Sequence, residues 1–281
     1  MIHSDWHIHT EASYDAQLPI ETLITRAREQ GLRRFGVTDH ANFNDEKFLG
    51  DLRNSAMLVK KHQTACPEMV LGVELTPIEK PLFDYIAKTG TRDGYVPVIQ
   101  DAPYAIELAV SKDELVAMGI RYAVGAAHWR VDIPNPAEED NSLPVVINEW
   151  FRQQMWLIQD ERVTILGHPW HNGSGLWYQD FSVIPQSMHE EMAAALLENR
   201  KYAECNAGIF RSPKGTEKFR CQYAEYLRFL FEKGIPITYG SDCHGKTHQE
   251  YPDDRVLVEP YLRAAGFEDG DIVELAEADL W

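Results

Sequence analysis

Seven apolar, strand-like runs constrain this chain more than any other feature, because nearly all of them deliver a histidine, aspartate or glutamate at the C-terminal end. They span 2–9, 34–40, 70–75, 122–128, 163–168, 201–206 and 235–242. They close on His7-Ile8-His9, Thr38-Asp39-His40, Gly72-Val73-Glu74, Ala127-His128, Gly167-His168, Glu204-Cys205-Asn206 and Gly240-Ser241-Asp242-Cys243-His244. Amphipathic windows separate several of them, most clearly at 20–30, 45–63, 145–160, 186–199 and 216–233. Alternation of this kind predicts βα units and a parallel sheet. Seven strands come close to the eight of a closed barrel, in which the strand C-termini share one mouth and the active site sits there.

The rest of the chain fits less well. The stretch 76–119 reads as an irregular excursion: 80–94 as loop or irregular, 104–118 as helical, with a hidden strand near 95–99. The segment 131–143, rich in Pro, Asn and acidic residues, reads as a surface loop. The acidic tail 269–281 reads as a short helix capping the barrel. None of these breaks marks a domain boundary, so one domain over 1–281 is expected.

Spacing on the strands has chemical meaning. Side chains two apart point to one face, so His7 and His9 can reach one metal ion together, as can Asp242 and His244. Imidazole and carboxylate suit Zn, Mn and Fe. Glu74, set between histidine groups, can bridge two ions through its two oxygens. Asp5 reads either as a carboxylate that accepts the second N–H of a liganding histidine or as a surface residue at the strand entry. A lone histidine is more often structural than a ligand, but this many titratable groups in one buried mouth would be costly without a metal. His3 lies far from the mouth. His62 and His189 read as solvated helix residues and His248 as a surface loop residue, while His171 reads first as a surface loop residue, with a place lining the pocket as its alternative. Cys243 and Cys205 read as packed thiols.

Bulk properties narrow the function. The chain has 281 residues, of which 44% are hydrophobic, enough for a packed core. With 27 basic and 44 acidic residues it carries a formal charge of −17, which disfavours nucleic acid and anionic membranes. Bound cations can still reverse the local field for a small anionic substrate. No apolar run is long enough to span a bilayer, and the N-terminus lacks a secretory pattern. With four cysteines and no Cys-x-x-Cys pair, reduced thiols in the cytoplasm are expected.

Taken in order, these motifs resemble those of the PHP (polymerase and histidinol phosphatase) family. Asp5-Trp6-His7-Ile8-His9-Thr10-Glu11-Ala12-Ser13-Tyr14-Asp15 resembles its opening motif, Thr38-Asp39-His40 the second and Gly72-Val73-Glu74 the glutamate motif. His128, Gly167-His168-Pro169 and Gly240-Ser241-Asp242-Cys243-His244 fit the later ones, and Tyr202–Asn206 resembles the E-x-N strand of histidinol-phosphatase-like members. The resemblance implies a distorted (β/α)7 TIM-like barrel with two or three divalent ions. It places His7, His9, Glu74 and Asp242 on one ion, Glu74, His128 and His168 on a second, and Asp15, His40 and His244 on a third. Many members carry histidine where this chain has Asp15, a carboxylate that also binds divalent ions and can shift the metal preference of the third site.

The resulting expectation is hydrolysis of a small phosphate monoester, histidinol-phosphatase-like, by a metal-bridging hydroxide, with a small phosphorylated metabolite as substrate. The metals also steady the phosphate and leaving oxygens. Asp242 is placed to accept the nucleophile's proton, and His168 joins it as an expected catalytic group. Arg130, Arg211 and Lys246 follow strands and can clamp phosphate, or equally be solvated loop charges. The rival enzyme is an amidohydrolase, which usually bridges its metals with a carbamylated lysine; no lysine ends the fourth strand here. A metal-binding regulatory protein is the non-enzymatic alternative.

Overall fold

The computed structural model describes residues 1–65, 67–98, 103–131, 143–171, 180–245 and 251–281. In chain order it contains β1 (Ser4–Asp5), α1 (Ile20–Glu29), β2 (Arg34–Val37), β3 (His40–Ala41), α2 (Glu46–Lys61), β4 (Glu68–Leu71), β5 (Val73–Leu75), β6 (Ile78–Glu79) and α3 (Lys80–Thr89). Then follow β7 (Ile106–Glu107), α4 (Lys112–Ala117), β8 (Ala123–Gly125), α5 (Leu143–Gln159), β9 (Ile165–Leu166), α6 (Gln186–Glu198), β10 (Tyr202–Asn206), α7 (Ala207–Arg211), α8 (Glu217–Glu232), β11 (Ile237–Gly240) and α9 (Arg255–Ala264). This is the α/β fold expected from the alternation of strands and helices.

All strand pairs except the β6–β7 ribbon are parallel. The ladders run β1-β2-β4 in one sheet and β11-β10-β9-β8-β5-β3 in another. β3 continues β2 and β5 continues β4 after short interruptions, so the two ladders share a path. Trp6 N donates to Tyr239 O (2.8 Å), Asp242 N to His7 O (2.7 Å) and His9 N to Cys243 O (3.0 Å). Hydrogen bonds therefore also pass from the last strand back to the first.

The helices start where local chemistry dictates. Asp45 accepts from Phe48 N at the head of α2, and Thr216 from Phe219 N at the head of α8. Ser111 and Glu114 form a reciprocal capping box on α4, satisfying backbone donors that a free helix end leaves open. The buried faces of these helices pack around the strands in one large apolar core. A second cluster joins Trp6, Val70, Tyr122, Val124, Ile165 and Tyr202 to Leu275 and Leu280 of the tail. Tyr122 donates its hydroxyl to Trp6 O (2.8 Å). A Cβ at Gly36 would fall 1.6 Å from that hydroxyl oxygen, and one at Gly72 only 2.5 Å from the ring, so both strands need glycine where Tyr122 crosses them.

The excursion departs from expectation. Residues 80–89 form α3, which Gly90 ends in the left-handed region at φ 78°. Only 112–117 of the expected helix 104–118 is helical, and Ile106–Glu107 pairs with Ile78–Glu79 instead. Residues 95–98 are not strand, and 99 lies outside the described residues, as does most of the expected loop 131–143. The tail holds only one 3-10 turn, Glu277–Asp279. Trp281 N bonds Arg121 O (2.7 Å) and Val273 N bonds Ile237 O (2.9 Å), which tie the tail across the strand ends opposite the histidines.

His189 corrects a second expectation. It is buried rather than solvated, stacked on Phe181 (5.4 Å) and packed against Tyr226 (4.8 Å) and Trp170 (5.6 Å). Burial pushes its pKa down from 6.5 to about 4. The unfolded chain then binds this proton more readily than the folded one, so the stability contribution is full above pH 6.5 and is lost as pH falls towards 4. The expected loss is at most about 3 kcal/mol. Urea unfolding at pH 7 and pH 4.5 should show a smaller acid destabilisation in His189→Phe than in the parent; equal losses would refute it. His62 is likewise partly covered, with Nε2 3.4 Å from Glu21.

Candidate metal centre

The strand ends bring the expected residues into one pocket. Glu74, fully buried on β5, sits at its centre. Its Oε2 lies 2.9 Å from His40 Nδ1, 3.1 Å from His7 Nε2 and 3.3 Å from His9 Nε2. Its Oε1 lies 3.1 Å from His128 Nε2 and 3.3 Å from His168 Nε2. The two oxygens of one carboxylate thus face two different sets of imidazoles. Asp242 Oδ1 stands 3.4 Å from His9 Nε2, 3.7 Å from His7 Nε2 and 3.5 Å from His244 Nδ1. Asp15 Oδ2 stands 3.3 Å from His40 Nε2 and 3.4 Å from His244 Nε2. A cavity of about 300 Å³ opens over this cluster, with Tyr14, Asn42 and Trp129 in its wall.

Several of these atoms are buried without a hydrogen-bond partner: His7 Nε2, both ring nitrogens of His9, His40 Nδ1 and Glu74 Oε2. Buried polar atoms are normally satisfied, and here they converge on one another instead. Ligand atoms about 2.0–2.1 Å from a tetrahedral ion stand about 3.3 Å apart, within the 2.9–3.7 Å range observed here. Three sets have their ligand atoms within 4.8 Å: His7, His9 and Asp242; His9, His40 and His244; and His40, Glu74 and His128.

The far sides of the rings agree. His7 Nδ1 meets Glu204 (2.7 Å), His128 Nδ1 meets Thr76 Oγ1 (2.8 Å), and His244 Nδ1 meets the Asp242 carbonyl (3.2 Å). Thr76 spends its own proton on Asn42 Oδ1 (2.6 Å), so it accepts from His128. Each of these contacts favours the proton on Nδ1, so that when a cation displaces the other proton the ring turns an Nε2 lone pair inward, the tautomer a metal ligand needs. The residues fit a divalent-cation site.

Charge in the cluster follows. Burial drives the His7 pKa down, but Glu204, Glu74 and Asp242 outweigh it and hold it well above the usual histidine value. Burial works against the anions of Glu74 and Asp242, yet the surrounding imidazoles keep both well below the normal carboxylate range. The same groups that stabilise protons here can stabilise cations, so protons and metal compete for the site.

Asp5 takes neither role read for it. It is buried, and accepts from Ser241 N (2.9 Å), His7 N (3.2 Å) and the Tyr251 hydroxyl (2.7 Å). It fastens the backbone of the first and last strands rather than a ring, and burial raises its pKa to about 6. His171 is half-buried rather than on the open surface, and takes its alternative place in the pocket wall. Its ring packs edge-on to His168 at 5.4 Å and lines the cavity, and burial lowers its pKa to about 3. Cys205 and Cys243 are buried free thiols, and burial pushes Cys243 up to about 12.

Arg211 lies beside the cluster, where it pairs with Asp254 and donates to the Ser241 and Asp242 carbonyls (3.4 Å each). It lines a cleft of about 860 Å³ on the other side of Asp242 and His244. Arg130 is partly exposed in the loop after β8, and Lys246 and His248 lie outside the described residues. Glu204 and Asn206 are the functional neighbours that had no assigned role. Their signal was the strand end Glu204-Cys205-Asn206, with two polar residues on one face.

A sequence profile of the PHP domain matches residues 5–208. The chain belongs to the PHP family. No curated protein sequence matches it. Among solved structures, the PHP chain is similar to histidinol phosphate phosphatase from Lactococcus lactis, crystallised with zinc, L-histidinol and phosphate. The TM-score is 0.63 at 18% identity, over 95% of this chain and 94% of that one. It is also similar to the metal-dependent tyrosine phosphatases from Bacillus subtilis and Streptococcus pneumoniae (TM-score 0.45, 14% identity, 95% and 88% covered). A TatD-family hydrolase from Entamoeba histolytica follows (0.36, 11%, 89% and 78%). As a PHP protein the chain is a metal-dependent hydrolase of phosphoester bonds. None of the described helices is long and apolar enough to cross a membrane.

Proposed function

We propose that the chain hydrolyses a small phosphate monoester at a centre of two or three divalent ions. His7, His9, Glu74 and Asp242 would hold one, Glu74, His128 and His168 a second, and Asp15, His40 and His244 a third. The observation that carries this reading is Glu74, whose two oxygens face separate imidazole sets within 2.9–3.3 Å. Zn, Mn and Fe all suit such donors. Bound cations supply Lewis acidity and an activated water, and neutralise the phosphate.

The protein's own groups do the rest. Asp242 keeps one carboxylate oxygen within reach of three imidazoles, which supports it as the group that would take the attacking water's proton. His168, beside Glu74 and at the cavity wall, stands where phosphate would enter. The cavity of about 300 Å³ suits a small phosphorylated metabolite. Histidinol phosphate is one candidate, by analogy with the Lactococcus lactis enzyme.

The test joins elemental analysis of the purified protein to a phosphate-release screen. The panel includes histidinol phosphate, other small phosphomonoesters, an aryl phosphate, an amide and a lactone. Two or three equivalents of Zn, Mn or Fe are expected, with phosphate release that a chelator abolishes and metal restores. Turnover of the amide or lactone alone would favour an amidohydrolase. Phosphate release indifferent to chelation would overturn the reading.

A further inference from the structure

Behind the imidazoles lies a carboxylate that none of the ligand assignments uses. Glu204 on β10 is 1% exposed and touches three site-bearing strands at once. Its Oε1 accepts from His7 Nδ1 at 2.7 Å. Its Oε2 accepts from the backbone N–H of His168 at 2.5 Å and from Asn206 Nδ2 at 3.1 Å. The Asn206 amide also donates to Asp242 Oδ2 at 3.2 Å. One buried anion and one amide thus tie together His7 after β1, His168 after β9 and Asp242 after β11.

We propose that Glu204 is a positioning residue, which fixes the His7 ring and the His168 backbone so that both imidazoles address the metal site. Three observations carry this. First, the two carboxylate oxygens divide the work: one holds a ring N–H and the other a main-chain N–H, so neither bond can be replaced by rotation of the side chain. Second, His168 stands at φ 27°, a conformation non-glycine residues avoid. Such strain persists only where surrounding structure over-determines it, and the bond from His168 N to Glu204 does so. Third, the fold keeps space for this carboxylate. A Cβ at Gly240, on the neighbouring β11, would fall 1.9 Å from Glu204 Oε1.

The partners beneath His128 and His244 are a hydroxyl and a carbonyl. Glu204 instead offers a carboxylate. A carboxylate on Nδ1 makes a stronger bond than a neutral acceptor and makes Nε2 a better electron-pair donor. Nε2 of His7 lies 3.1 Å from Glu74 Oε2, so this effect is delivered at the shared carboxylate.

The inference rests on the metal-site reading above, and its test separates the two. Full-length wild-type protein and Glu204→Gln are stripped of metal, and zinc affinity is measured by competition with a chromophoric chelator. Far-UV circular dichroism reports folding. Glutamine has the same shape but one acceptor oxygen, so it cannot serve both N–H groups. Zinc affinity is expected to fall about 10–100-fold with the fold intact, the usual effect of losing such a partner. Equal tight binding by the two proteins overturns this inference alone. No zinc binding by the wild type overturns the site reading together with it. Should the variant fail to fold, long-range 1H–15N spectra of the zinc-bound wild type decide the matter. They are expected to show His7 protonated on Nδ1, with zinc on Nε2; the opposite tautomer refutes the role.

Discussion

Glu74→Gln is expected to cut metal-dependent phosphoester hydrolysis severely while leaving the chain folded. Glutamine keeps the shape of the side chain but replaces an anion with a neutral amide. It leaves one acceptor where two oxygens now serve five imidazoles. The charge matters most, because His7, His40 and His128 all draw on it. An ion that loses its shared ligand loses affinity, and the Lewis acidity it supplies is worth several kcal/mol of barrier. That corresponds to a fall in kcat/KM on the order of 10³-fold. Metal content and turnover measured on the same preparation check it. A Glu74→Gln protein with full metal content and parental turnover would show that the carboxylate is not the bridge.

Removing residues 272–281 is expected to be the most damaging change remote from the site. The tail inserts Leu275 and Leu280 into the cluster around Trp6 and Tyr122. Each buried leucine contributes about 1.5–3 kcal/mol. The hydroxyl of Tyr202 donates to Asp279 Oδ2 (2.6 Å), and Arg34 and Arg121 both reach Glu277. Those arginine pairs are solvent-exposed and add little, so the apolar contacts dominate. A total loss of roughly 5 kcal/mol is a large share of the 5–15 kcal/mol typical of folded domains. The truncated chain should unfold at much lower urea concentration and accumulate poorly in soluble form. An unchanged midpoint would mean that the tail merely covers the strand ends.

The two cases differ in how visible they were beforehand. Glu74 could be picked out because strand C-termini gather at one mouth and because Gly72-Val73-Glu74 sits between histidine-ended strands. The five clearest helices fell within a few residues of their expected limits, since long periodic windows carry their own signal. The tail's role could not be read, because Leu275 and Leu280 gain their meaning only from Trp6 and Tyr122, more than a hundred residues away. The α3 helix follows the strand Ile78–Glu79 without a gap, so its start carries no break in pattern. Its neighbouring ribbon pairs segments 28 residues apart in two-residue strands, too short for alternation to register. Pro260 inside α9 masks that helix, because proline ordinarily argues against a helical interior. Asp5, His171 and His189 show the same limit: residue type names the chemistry available, while the neighbours that select among its uses come from distant chain.

Two of the residues that converge on the site, His168 and Asp242, stand at φ 27° and 51°. Glycine would rest there without penalty, whereas other residues pay on the order of 1–3 kcal/mol. A scaffold selected for heat resistance alone would drift towards glycine at both positions and lose its grip on cations in doing so. Durability and chemistry therefore pull in opposite directions at these two points of the backbone, and the side chains kept there mark where the second has prevailed.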